Sequence, residues 1–468
     1  MDNADEFDLA AVGSGGAAMA AAISARQAGG SVVMIERGAL GGTCVNVGCV
    51  PSKTLLAAAG ARQAALTNPF PGAPTSAQDV DLASLVSQKD RLIDQLRGAK
   101  YADVADAYGF EIRNGEASFR DPDTLLVDGR PVMARSFLIA TGAEPARPEV
   151  TGLAEADYLT STTAMELTSL PQSMIVVGGG YVGVEQAQLF AHLGTKVTII
   201  GRIAPAAEPE MADVLRSVLA EDGITVLEEH AVSAAVEGGQ TVVTAASGSS
   251  AGGGTLLVAT GRTARTDGLN LPAAGVSTDE RGYISVDKAQ RTTNGRVYAA
   301  GDVTGAPQYV YLAAAAGKAA ATNALSEDAG VPPAGVPPAG VDYTGLPAVI
   351  FTRPQLAAAG LTEAGATAAG YRCECRVMTF DDVPRALVNQ NTRGAIKMVA
   401  EAGTGKVLGV SAIGDSAGEV MLPATYAIKA GMTTRQIADI WAPYLTVSES
   451  LRLVAGIFHN EMPTSCCA

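Results

Sequence analysis

Positive charge is scarce in this chain. Thirty-three Lys and Arg stand against 48 Asp and Glu, a formal net charge of −15 at pH 7. A field of that sign repels phosphate backbones and offers nothing to anionic lipid, which argues against a nucleic-acid or membrane-surface partner. Aromatic residues are only 5% with a single Trp, a poor composition for an aromatic-rich sandwich. Long apolar runs are missing too. The nearest candidate, Leu9 to Ala25, is rich in Gly, Ser and Ala, too weakly apolar for a membrane span. The acids before it (Asp2, Asp5, Glu6, Asp8) have the wrong sign for a signal peptide, so the expected location is the cytoplasm. Histidine is limited to His192, His230 and His459, with no two near in sequence, which leaves little for a His-rich zinc site. The six cysteines are too few for a disulfide scaffold. They fall in three close pairs, Cys44/Cys49, Cys373/Cys375 and Cys466/Cys467, a pattern that suits redox chemistry or soft metals in a reducing compartment.

Glycine, by contrast, is plentiful at 53 residues, and 468 residues allow about three domains. Two similar units stand out. The first places a short apolar strand (Phe7–Ala11) before Gly13-Ser-Gly15-Gly16-Ala-Ala18, then an Ala-rich helix, then a strand (Ser31–Ile35) closing on Glu36. The second repeats the order with Ser173–Val177, Gly178-Gly-Gly180-Tyr181-Val-Gly183, a helix to about Leu193, and Lys196–Ile200. Each ends on one phrase, Leu138-Ile-Ala-Thr141-Gly142 and Leu257-Val-Ala-Thr-Gly261. Strand, glycine turn, helix and strand make the dinucleotide-binding unit, so the duplication predicts two nucleotide sites. Ser247–Gly254 predicts a flexible hairpin turn, and the Pro/Gly repeat 330–340 a surface linker. Beyond it, strand-like runs (Ala395–Val399, Val407–Ile413) and helical runs (Ala417–Ala430, Thr434–Trp441) predict a separate α+β domain.

The two glycine turns differ in the residue that closes the next strand. Glu36 ends the second strand of the first unit, where a carboxylate accepts from ribose hydroxyls while the helix N-terminus receives pyrophosphate. The second unit has Ile200-Gly201-Arg202 there, and an arginine without an acid suits the 2′-phosphate of NADPH. Between the first turn and the second unit lies Gly41-Gly42-Thr43-Cys44-Val-Asn-Val-Gly-Cys49-Val-Pro51-Ser-Lys53. Pro51 and the apolar run after it predict a helix starting at or just after Cys49. A thiolate there is stabilised by the helix dipole, and Lys53, four residues on, faces the same way.

This phrase resembles the redox-active disulfide of the pyridine nucleotide–disulphide oxidoreductases, and the resemblance covers nearly the whole chain. It implies an α/β fold with two Rossmann-like dinucleotide-binding domains, for FAD and NADPH, and a C-terminal α+β dimerisation domain. The expected division is 1–150 (FAD), 151–265 (NAD(P)H), 266–345 (the second FAD segment) and 346–468 (dimerisation and tail). Gly42, Thr43, Lys53, Thr141, Gly142 and Asp302 (in Gly301-Asp302) would join the first glycine turn and Glu36 at FAD. Arg202 and Gly261 would join the second turn at NADPH. By the same resemblance Cys49 is the thiol against the flavin, Cys44 the outer interchange thiol, Lys53 and Glu185 an ion pair, and Tyr181 a lid over the nicotinamide pocket.

Disulfide reductases of this family carry a histidine near the C-terminus that shuttles the thiol proton. This chain has Tyr444-Leu-Thr-Val-Ser-Glu449 instead, and a phenol with a pKa of about 10 is a poor shuttle at neutral pH. The chain ends Thr464-Ser-Cys466-Cys467-Ala468, and adjacent thiols on a tail suit capture of a soft metal ion. That ending, with Tyr444 and Tyr101, resembles the mercuric reductases. The branch implies Hg(II), delivered as thiolate complexes, as substrate, with Cys44, Cys49, Cys466 and Cys467 as its ligands. It also implies a homodimer with a shared active site. The chain resembles the catalytic core of that branch without an extra N-terminal metal-binding domain. Cys373 and Cys375 read as surface thiols. The alternatives are a reductase of low-molecular-weight disulfides, a dihydrolipoyl dehydrogenase, or a module that binds mercury or senses redox state without turnover.

Overall fold

The computed structural model describes residues 6–326 and 338–461, which divide into two compact units. The first combines 6–54, 86–146 and 261–326 with 338–342. Its centre is a parallel sheet in the order Glu111–Asn114, Val32–Glu36, Glu6–Val12, Arg130–Ile139, with Val297–Ala299 also pairing Arg130–Ile139. The strands are near-continuous apolar runs because both faces are covered, as parallel strands require. Leu9, Ala11, Met34 and Leu138 face one core; Ala10, Val12, Ile35 and Ile139 face the other. Helices Gly16–Gln27 and Val310–Ser326 close the first face. They approach so nearly that a Cβ on Gly317 would overlap the Ala17 carbonyl, which accounts for the small residues along both.

The second unit contains 55–85, 147–260 and 343–461. Its first part is again parallel, in the order Thr225–Leu227, Lys196–Ile200, Ser173–Val177, Thr255–Val258, Tyr158–Thr160. The Gly/Ser stretch expected to be only a turn contributes a strand: Ser250–Gly253 pairs with Thr241–Thr244. Backbone pairing there outweighs the weak strand preference of glycine, because the partner strand supplies Val243 and Ala245 to the core. The C-terminal part is an antiparallel sheet in the order Pro347–Ile350, Gln355–Gly360, Val407–Gly414, Ala395–Glu401, Cys373–Thr379. Helices Ala417–Lys429 and Glu449–Ile457 contribute Val420, Met421, Ala424, Leu453 and Val454 to its core. The helix expected over Thr434–Trp441 stops at Ala438, and Trp441 is almost fully exposed. Most of the 330–340 repeat, and the Cys466/Cys467 tail, lie outside the described residues.

Candidate active site

In the first unit the strand Glu6–Val12 delivers the chain into the first glycine turn, and Gly15 caps the helix Gly16–Gln27 without a side-chain cap. The first N–H groups of that helix are therefore open to an anion. Gly13 has a left-handed φ of 107°, and a Cβ there would overlap the Ala140 carbonyl. Ala18 is fully buried beneath the turn, and Gly16 abuts Val310. Glu36 stands at the expected strand end. Its carboxylate is already committed in part: Ser14 Oγ donates to Oε2 at 2.5 Å and the Gly38 N–H donates to Oε1 at 2.8 Å. Ser14 also accepts from the Gly41 N–H at 2.9 Å, so one buried hydroxyl ties the acid to the cysteine segment.

Cys44 sits on a short helix, Gly42–Asn46, and Cys49 is the first residue of the helix Cys49–Leu66, at the expected position. Cys49 is exposed and Cys44 half-buried, and each carries a thiol. A Cβ on Gly42 would lie 2.6 Å from the Gly15 Cα, so cysteine segment and glycine turn touch backbone to backbone. Thr43 precedes Cys44 in the short helix, half-buried like it. Asn46 locks the segment by donating to the carbonyls of Leu40 (3.0 Å) and Gly42 (2.8 Å), and its own oxygen accepts from Arg97 Nε at 3.0 Å.

The Cys44 thiol is held well above the ordinary thiol range. Its hydrogen bond to Cys49 is the main cause, followed by burial and the repulsion of a second thiolate, while the Lys53 cation pulls the other way. Cys44 therefore holds its proton more tightly than an ordinary cysteine. Tyr101 lies on a π-helical turn, Gly98–Ala102, with its ring against Gly41. Burial first, then the charges of Cys44 and Cys49, push its phenol upward, so it stays neutral beside the thiols.

Asp302 opens a short turn after the strand Val297–Ala299. Burial pushes its carboxyl up and Arg262 opposes that, with Arg262 Nε 3.9 Å from Oδ2. Arg262, which sequence reasoning missed, is desolvated yet feels both Asp302 and Cys49, and its buried Nε has no hydrogen-bond partner. Thr141 donates to the Arg265 carbonyl at 2.6 Å, and the Gly142 carbonyl accepts from the Arg265 N–H at 2.9 Å. The two repeated Ala-Thr-Gly phrases thus run into strands that pair with each other, Ala143–Pro145 with Arg262–Ala264.

In the second unit Gly180 caps the helix Tyr181–Leu193 with φ −73° and ψ −174°, against −74° and −173° at Gly15. A Cβ on Gly183 would overlap the Gly178 carbonyl, the close helix–strand approach of a dinucleotide turn. Tyr181 is the first helical residue and half-buried. Arg202 is exposed just beyond the strand Lys196–Ile200, its carbonyl against Gly179. Glu185 is buried and accepts from the Phe351 N–H at 2.9 Å. Lys53 belongs to the first unit and Glu185 to the second. Tyr444 is exposed in the turn before the helix Glu449–Ile457.

Known proteins resemble the chain along nearly its whole length. The family described as pyridine nucleotide-disulphide oxidoreductase matches residues 7–317, and its dimerisation domain matches residues 346–455. A mercuric reductase of Streptomyces lividans is 48% identical over 99% of this chain and 98% of its own. One from Lysinibacillus sphaericus is 44% identical over 100% and 85%. Among solved structures, an HOCl-induced flavoprotein disulfide reductase of Escherichia coli superposes with a TM-score of 0.84 at 27% identity, covering 96% of this chain and all of that one.

Proposed function

The chain belongs to the pyridine nucleotide–disulphide oxidoreductase family, and we propose that within it the protein is an NADPH-dependent mercury(II) reductase. The observation that carries the reading is its similarity to mercuric reductases over the full chain, at up to 48% identity. No helix among the described residues is long and apolar enough to cross a membrane. The dithiol chemistry requires a reducing compartment, and we place it in the cytoplasm.

The residues present fit FAD in the first unit. An uncapped helix N-terminus at Gly15 and Gly16 receives its pyrophosphate, Gly13 and Ala18 shape the turn, and Glu36 takes the ribose. Gly42, Thr43, Lys53, Thr141, Gly142 and Asp302 would line the remainder, and the orphaned Arg262 Nε awaits an acceptor. When bound, FAD supplies the two-electron relay between NADPH and the thiol site. Gly178, Gly180, Gly183, Tyr181, Gly261 and Arg202 would hold NADPH, with the Arg202 guanidinium on the 2′-phosphate.

Cys44 and Cys49 are the proposed ligands of Hg(II). Each gives up its proton as it binds, and the ion is held as a linear dithiolate in which sulfur softness matches metal softness. Lys53 and the helix N-terminus at Cys49 stabilise the negative charge that this exchange passes through. Tyr101 keeps the thiols screened and stays neutral doing so. Cys466 and Cys467, with Tyr444, are proposed to bring thiol-bound mercury from the partner subunit, since successive thiolate attack avoids a free ion. The dimerisation domain supports that pairing.

The test compares anaerobic NADPH oxidation with HgCl₂ plus excess thiol against oxidised glutathione and against lipoamide. The reading expects rapid oxidation with release of Hg(0) only in the first case. Faster turnover of either disulfide would overturn it.

A further inference from the structure

Two thiols outside the candidate active site share one face of an edge strand. Cys373 and Cys375 open the strand Cys373–Thr379, at the end of the C-terminal sheet. Side chains two residues apart emerge on the same face. There the pair packs against buried Ala366, Val399 and Leu408, and both residues remain half-buried rather than sealed. On this face lies an unusual charge cluster. Lys397, 2% exposed, is ringed by Glu363 at 2.7 Å, Glu210 at 2.9 Å and Glu208 at 3.1 Å. Three carboxylates around one ammonium leave a negative excess that favours an incoming cation. Cys375 hydrogen-bonds the Glu363 carboxylate, and burial with that carboxylate pushes its thiol up to about 12.

Three uses of such a pair can be weighed. Zinc needs further ligands, and among the described residues no group of three or more His, Cys, Asp and Glu is arranged to hold a metal. A disulfide would have to close a Cα separation of roughly 6.6 Å between residues i and i+2 of an extended strand. That lies at the far edge of the range disulfides span, about 4.4–6.8 Å. An ion between the sulfurs lengthens the bridge, and a soft two-coordinate ion asks for nothing beyond two thiolates.

We propose that Cys373 and Cys375 form a second dithiol site that holds one soft, two-coordinate metal ion, Hg(II) in particular. The choice of ion rests on the mercury(II) reductase reading; the site itself does not. Binding is an exchange without electron transfer. Two S–H bonds of the protein break and two Hg–S bonds to it form, while the two bonds from mercury to its incoming small thiolates break. Those thiolates leave as thiols with the two protons, that of Cys375 passing by way of Glu363. An ion held here is stored.

The experiment uses full-length holoenzyme carrying Cys44→Ala, Cys49→Ala, Cys466→Ala and Cys467→Ala. It is exposed anaerobically to HgCl₂ with an equal amount of free cysteine, desalted and assayed for bound mercury. The expected result is about one Hg(II) per chain, falling to background when Cys373→Ser or Cys375→Ser is added. Retention no greater than in a chain lacking all six cysteines overturns the site, as does retention that survives both serine changes. If the fourfold variant does not fold, the wild type replaces it. Loss of about one Hg(II) equivalent on Cys373→Ser/Cys375→Ser supports the site, and an unchanged count overturns it. Failure of the mercury reading is separate: a wild type that binds the ion here but releases no Hg(0) with NADPH keeps the site and loses the activity.

Discussion

At the scale of single residues, the raised Cys44 thiol sets a difference from ordinary cysteine that can be measured. Because Cys44 keeps its proton well above the ordinary thiol range, its thiolate fraction at neutral pH is small and grows about tenfold per pH unit. In the reduced protein, iodoacetamide should label Cys44 more slowly than free cysteine, whose thiol ionises near 8.5, even at pH 9. Mass spectrometry of the labelled peptides checks this, and equal labelling of Cys44 and free cysteine would refute it. Replacing both residues, Cys44→Ala/Cys49→Ala, should abolish mercury reduction with every mercury ligand, in a single-turnover assay, while leaving the flavin spectrum in place. Arg202→Glu tests the second nucleotide turn. A charged hydrogen bond contributes about 1.5–3 kcal/mol, so NADPH should lose at least about tenfold in kcat/KM relative to NADH. An unchanged ratio sinks that contact. The glycines, the acid at Glu36 and the two cysteines were legible because each answers to a fixed spacing. Ser14, Arg97 and Arg262 were not: the bonds or charges that tie them to Glu36, Asn46, Asp302 and Cys49 span 22 or more positions, and nothing local marks them.

At the scale of elements, the contact between the glycine turn and the cysteine segment decides whether both can be built at once. Gly42 has φ 64°, and a Cβ on it would push against Gly15. Gly42→Ala should weaken flavin binding by about tenfold or more, the effect of roughly 1–3 kcal/mol of backbone strain. The ratio of flavin absorbance to protein on purification measures it; full occupancy would contradict the close approach. The charge cluster at Lys397 links segments far apart in sequence, since Glu208 and Glu210 come from the start of the helix Pro209–Glu221 and Lys397 from the strand Ala395–Glu401. Lys397→Met leaves buried Glu208 uncompensated and should destabilise by about 3–5 kcal/mol in urea unfolding. The side-chain hydrogen bond and charge of Lys397 hold Glu363 below its ordinary value of 4.5. A lowered carboxyl contributes stability above that value and loses it as pH falls through the lowered one. Glu363→Gln should therefore make acid unfolding less steep. Periodicity made the parallel strands and the first helix legible. It missed Ser250–Gly253, where four small residues carry no pattern and only the neighbouring strand makes them one.

At the scale of the whole molecule, the duplication read from two glycine turns reappears as two parallel sheets whose helix caps agree within a degree. The distant segments that complete each sheet were invisible in the sequence, because a repeat says what each unit resembles and not which strand pairs with which. The consequence lies in the order of assembly. The sheet of the first unit takes its Val297–Ala299 strand onto Phe137–Ile139, and the ribbon Ala143–Pro145 waits for Arg262–Ala264. A growing chain on the ribosome thus exposes a half-built sheet, one edge bare, while more than a hundred further residues are made. Closing so long a loop is slow, and an unpaired apolar edge invites aggregation in the meantime. The segment 147–260, which has its own sheet, can fold during that wait. Synthesis halted after residue 260 should leave a product with one cooperative unit and a sticky remnant. Halting after residue 326 should yield a protein that resists proteolysis at the Phe137 edge.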